Sequence, residues 1–158
     1  MPLSLYQATV PPFVHMLDAL SRVLDKAAAH AQARQFDPAV LLSSRLYPDM
    51  FPLTRQVQSA SDNAKGAGAR LAGVELPSFS DTETSFPELK QRLQKTIDFL
   101  QTLQPEQFAG AEERIVKLVF PGITLAFSGV DYLFKFAQPN FYFHLTTAYA
   151  ILRHNGVE

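Results

Sequence analysis

Cysteine is missing from all 158 residues. Its absence excludes disulfides, thiolate metal sites and a cysteine nucleophile together, and suits a cytoplasmic protein. An excess of charge of one sign is missing too. Fourteen Lys and Arg stand against fifteen Asp and Glu, for a formal net charge of -1. No basic face is implied, so neither nucleic acid nor an anionic membrane surface is an expected partner. The most apolar stretch, around Leu118 to Phe136, is broken by Pro121, Gly122, Asp131 and Lys135, and so falls short of the roughly 20 residues that cross a bilayer. The opening MPLSLYQATVPPF lacks the basic start and continuous apolar run of a signal peptide. Also missing are a Ser-His-Asp order, a phosphate-cradling glycine loop, an HExxH pattern and any internal repeat. The expectation is a soluble, cytoplasmic protein.

What is present is globular composition, 47% hydrophobic and 18% charged, in a length that fits one domain over residues 1–158. Phe13, Leu17, Leu20, Leu24, Ala27 and Ala31 fall on one stripe of a first helix, about Phe13 to Arg34, with Pro11 and Pro12 at its start. A turn before the prolines would force a kink. Asp37-Pro38 begins a short helical turn in the connector. A second helix is expected from about Pro48 to Leu71, on the seam Met50, Leu53, Val57, Ala60, Ala64, Ala67 and Leu71, with Gly73 as its stop. Residues 74–84 read as a long polar connection. Ser85 and Glu88 have capping-box spacing for a third helix that ends near Leu103.

The period then changes. Val116, Leu118 and Phe120 alternate before Pro121-Gly122, and Ile123, Leu125 and Phe127 alternate after it, which predicts a short β-hairpin on a type II turn. That turn matches strand twist poorly, so a loose or bulged hairpin is expected. Residues 129–137 suggest a short helix, and a last helix runs from Pro139 to about His154, apolar almost all round and so expected inside the bundle. The fold class is therefore mainly α: an antiparallel four-helix bundle with a β-hairpin before the last helix and at least one non-trivial crossover.

The candidate chemistry lies on the second and last helices. Asn140 and His144 are four apart on one helix face in apolar surroundings, so each needs a partner or water. Asp49, Gln56 and Asn63 recur every seven residues beside the second helix's seam. A carboxylate from Asp49 meeting His144 would make a facing-helix site, although an acid near a helix start also serves the dipole alone. His15 lies beside the first seam and, with Gln56 and Tyr149, is a candidate for lining a pocket. The acids Asp81, Glu83 and Glu88 read as loop and helix-start charge. The many aromatics suggest core or dimer contact first and a pocket for a small apolar ligand second.

Two stretches carry a resemblance. Tyr47-Pro48-Asp49-Met50-Phe51-Pro52-Leu53 with Gln56, and the closing Pro139-Asn-Phe-Tyr-Phe-His-Leu-Thr-Thr-Ala-Tyr-Ala-Ile-Leu-Arg-His-Asn-Gly156, resemble a bacterial family known only as a domain of unknown function, within the DinB-like (YfiT-like) superfamily of four-helix bundles. The resemblance spans nearly the whole chain. Many DinB-like proteins hold a divalent metal on three histidines, and some are metal-dependent thiol transferases or isomerases. It implies a site for zinc or nickel whose positions here are Asp49, Asn140 and His144. An asparagine there departs from the family's pattern and supplies only a neutral carbonyl oxygen. Two readings follow: a metal or acid–base site between the second and last helices, or a non-catalytic bundle that binds a ligand or protein through a structural polar network. A homodimer fits either.

Overall fold

A computed structural model describes residues 3–158. Its first helix, α1 (Leu5–Arg34), starts two turns earlier than the apolar stripe predicts. Ser4 supplies the reason: its hydroxyl accepts from the Gln7 amide at 3.2 Å, and the Gln7 side chain accepts from the Ser4 amide at 3.1 Å, a closed capping box. Pro11 and Pro12 thus lie inside the helix, where each removes a donor from the carbonyl four residues back. One of those carbonyls, that of Ala8, accepts instead from the Gln138 side chain at 3.0 Å.

A short α2 (Ala39–Ser43) follows, and then α3 (Leu53–Ala72), which begins five residues later than Pro48. Pro52 is the cause. The residue before a proline is pushed out of the α region, and Pro52 itself is extended (ψ 166°), so the helix starts only after Pro52. Residues 47–50 form a turn closed by the Met50 amide on the Tyr47 carbonyl at 3.0 Å. Small residues let α3 approach its neighbours closely: a Cβ at Gly68 would lie 2.5 Å from Leu100. Gly73, in the left-handed region, stops the helix.

Helix α4 (Phe86–Thr102) opens on half of the expected capping box. Ser85 accepts from the Glu88 amide at 3.3 Å, but the Glu88 carboxylate turns back one residue further, to the Thr84 amide at 2.6 Å and hydroxyl at 3.1 Å. These bonds hold the Glu88 carboxyl below its usual range. Strands β1 (Val116–Phe120) and β2 (Ile123–Phe127) pair from Val116 with Phe127 to Phe120 with Ile123. Only Pro121 and Gly122 lie between, so the hairpin is tight and unbulged, with Gly122 at φ +81° carrying the left-handed position. A short α5 (Gly129–Asp131) and a wider π-helical segment (Tyr132–Ala137) lead into α6 (Gln138–His154).

Contacts fix the directions. Asp25 meets Lys90 and Tyr6 meets Phe108, so α1 and α4 run antiparallel. Gln56 meets His144 and Arg70 meets Tyr132, so α3 and α6 do too. The long connections leave α3 beside a parallel α4, and α1 beside a parallel α6, as in a bundle with crossovers. The core is the apolar centre of this ring, with Phe13, Leu17, Leu24, Leu53, Leu71, Leu89, Leu93 and Phe141 fully enclosed. Contrary to the all-round apolar reading, α6 is not wholly interior: Tyr142, Phe143 and Tyr149 are exposed. Among the described residues no helix is long and apolar enough to cross a membrane.

Candidate functional site

Gln56 lies in the first turn of α3 and is buried, close to the chain that Pro52 keeps extended. Its Nε2 donates to the Phe51 carbonyl at 3.2 Å. A carbonyl oxygen can only accept, so this bond fixes which way the amide points and turns Oε1 toward α6. There Oε1 lies 2.7 Å from Nδ1 of His144. Gln56 Oε1 has no hydrogen to give, so Nδ1 carries the proton and Nε2 keeps a lone pair. Among the described residues Nε2 has no hydrogen-bond partner. The two helices therefore select one tautomer of the imidazole.

The surroundings select its charge. His144 is half-buried. Phe51 stacks on the ring at a centroid distance of 6.4 Å and an interplanar angle of 15°, and Phe143 meets it edge-on at 5.2 Å. Both phenylalanines are themselves about half exposed, so the ring is framed without being sealed. Burial, and then the nearby Arg55 guanidinium, hold the His144 pKa below that of a free histidine. A neutral imidazole with an unshared pair on Nε2 can take a proton, accept a hydrogen bond or ligate a metal.

The other candidates distribute as follows. Asn140 precedes His144 by one turn, but its Nδ2 donates to the Phe136 carbonyl of the preceding π-helical segment at 2.7 Å. Asp49 is exposed in the turn before α3 and not on the helix, and the α3 side chain that meets His144 is Gln56. Asn63 donates to the Ser59 carbonyl, 2.9 Å away on its own helix. His15 is exposed on α1. Tyr149, also exposed, lines a separate cleft of about 180 Å³ with Val23, Lys26 and Leu152.

This donor set fits a resident transition metal poorly. It offers one imidazole nitrogen, a glutamine oxygen already engaged by that imidazole, and an asparagine oxygen with no charge. Among the described residues no group of three or more His, Cys, Asp or Glu is gathered as metal ligands would be.

One polar cluster was not anticipated from the sequence. Arg92 of α4 is only 2% exposed and bonds Asp62, Asp81 and Glu83. The signal was there: Arg92 sits between Leu89, Leu93 and Thr96 on the buried stripe of α4, where an arginine must find carboxylates. Asp81 and Glu83 are thus ion-pair partners of a buried cation, and only Glu88 keeps the helix-start role.

The arrangement of α3, the hairpin and α6 has known counterparts. A family model described as a domain of unknown function, DUF1993, matches residues 5–158. The chain belongs to this family. The crystal structure of a DinB family member protein from Shewanella denitrificans is similar at 43% identity and a TM-score of 0.89, over 98% of this chain and 87% of that one. None of the curated proteins matches. The DUF1993 fold is thereby a DinB-like bundle, mainly helical, with the small hairpin ahead of its last helix.

Proposed function

We propose that this DUF1993 protein presents His144 as a neutral base toward a small-molecule ligand, with Gln56 as the residue that orients it. The observation that carries this reading is the relay from the Phe51 carbonyl through the Gln56 amide to His144 Nδ1. The relay leaves Nε2 as the proton acceptor, a role in which a low pKa keeps the imidazole unprotonated near neutral pH. The exposed rings of Phe51 and Phe143 beside it favour a ligand with an apolar or aromatic body. No metal is required for that role, and the donor set gives no support to one.

Two measurements test it without knowledge of the substrate. In ¹⁵N NMR spectra of neutral His144, Nδ1 should carry the proton, and Gln56→Leu should shift the population toward the Nε2–H form. Diethylpyrocarbonate, which acylates an unprotonated imidazole nitrogen, should modify His144 in the folded protein, with a pH midpoint below that of free histidine. An Nε2–H tautomer in the wild type, or a His144 untouched by the reagent until the chain unfolds, would sink the base reading. The second outcome favours a non-catalytic bundle in which Gln56 and His144 are a structural pair.

A further inference from the structure

The connection between α3 and α4, residues 74–85, carries no helix or strand, yet it is tied down at several points. Beneath it lies Arg92, each of whose guanidinium nitrogens is engaged. Its Nε donates to Ser61 Oγ at 3.2 Å, and one terminal nitrogen donates to Asp62 at 2.8 Å. The other reaches Glu83 at 3.1 Å, Asp81 at 3.0 Å and the Ser80 carbonyl at 3.1 Å. The connection also bonds α3 directly. Glu83 accepts from Gln58 at 2.9 Å, and Asp81 pairs with Arg55. Phe79 lies with the Lys65 ammonium 4.1 Å from its ring centroid and the Arg92 guanidinium 5.9 Å away.

These contacts divide unevenly between the bundle and the connection. On the bundle side stand three cations, Arg55, Lys65 and Arg92, and one carboxylate, Asp62, which bonds both Lys65 and Arg92. The two carboxylates that complete the balance come from Asp81-Thr82-Glu83 of the connection. The bundle's own residues therefore form a cationic strip, with Arg92 and Lys65 buried and Arg55 partly exposed, and the chain fills it with an acid-x-acid segment flanked by a phenylalanine. Arg92 itself is anchored independently of the connection. Ser61 passes its hydrogen to Thr96 at 2.8 Å, and Thr96 donates to the Arg92 carbonyl at 3.0 Å, which closes a hydroxyl loop around the guanidinium's inner edge. The outer edge is what the connection covers.

We propose that the α3–α4 face is a binding site for a doubly acidic peptide segment, occupied in cis by residues 79–83, so that the connection is an ionic latch able to leave as a unit while the bundle stays folded. Arg92 is enclosed while Asp81 and Asp62 each keep about 40% of their side chains exposed, so the hold rests on charge-assisted bonds to the guanidinium and weakens once the carboxylates are replaced by neutral amides. An external Asp-x-Glu segment then competes for the same guanidinium edge, at a disadvantage set by the high local concentration of the tethered one.

Limited proteolysis on the intact chain tests the latch. Because Arg92→Met risks leaving carboxylates unpaired and the fold lost, the main variant is Asp81→Asn with Glu83→Gln, which keeps the cation and Asp62. The expected result is chymotryptic cleavage at Phe79 faster by about tenfold or more, with the amides of α3 and α4 still protected from hydrogen exchange. Unchanged cleavage at Phe79 overturns the proposal, and so does a loss of protection in α3 and α4, which would make the network a part of the bundle and not a latch. A labelled peptide of residues 78–84 should also bind the double variant, and about tenfold more tightly than it binds the wild type. No preference of the variant for that peptide over one carrying Asn and Gln in place of its acids overturns the site.

Discussion

At the scale of single residues, the His144–Gln56 pair makes a pH-dependent contribution to stability whose sign follows from its surroundings. Burial and Arg55 disfavour the imidazolium in the folded chain. Between the folded pKa and the value near 6.5 of a free histidine, the unfolded chain binds more protons than the folded one, so stability rises with pH through that window. The contribution is complete above the unfolded value and is lost as the pH falls. His144→Gln removes this dependence. In denaturant titrations at pH 7 and pH 5, the wild type should therefore lose more stability on acidification than the variant does. Equal losses would mean that the imidazole gains as much charge in the fold as outside it.

At the scale of elements, the site depends on how α6 is delivered to α3. The hairpin, α5 and the π-helical segment form that route, and Gly129 is its tightest point. A Cβ there would fall 1.8 Å from the Ala111 carbonyl oxygen and 2.9 Å from its carbon. Those are backbone atoms, and the adjacent Val130 amide already donates to the Glu112 carbonyl at 3.3 Å, so neither side moves aside cheaply. Gly129→Ala should cost about 1–3 kcal/mol, the range of overpacked sites, and thermal unfolding checks it. Since the clash is at the entry to α6, the same variant should disturb the His144 ring resonances, whereas Gly122→Ala, where nothing lies within 4 Å of the added carbon, should strain only its own left-handed turn.

At the scale of the whole molecule, apolar groups remain uncovered at the hairpin end. Val119, Phe120 and Ile123 at the hairpin end are exposed, and Phe120 reaches Phe136 of the π-helical segment at 6.3 Å. Phe134 of that segment is exposed as well. Patches of this kind favour association between copies. Sedimentation equilibrium at micromolar concentration should return a dimer mass, and Val119→Lys with Ile123→Lys should return a monomer with an unchanged helical spectrum. A monomeric wild type would remove this expectation while leaving the Gln56–His144 pair intact.

The sequence alone determined what depends on near neighbours. Apolar spacing marked the four long helices, alternation about Pro121-Gly122 marked the hairpin, and the closing stretch marked the family, because periodicity and turn chemistry act within a few residues. Even there, three prolines misled in opposite ways: Pro11-Pro12 sit within a helix rescued by Ser4 and Gln138, while Pro52 delayed α3 and left Asp49 in a turn. Tertiary structure decided the partnerships, since nothing local states that Gln56 turns its oxygen to His144, 88 positions later, or that Asp81 and Glu83 answer the charge of Arg92. A buried polar group takes the nearest group that satisfies it in three dimensions, and the crossovers that bring those groups together are set by packing across the bundle rather than by order along the chain.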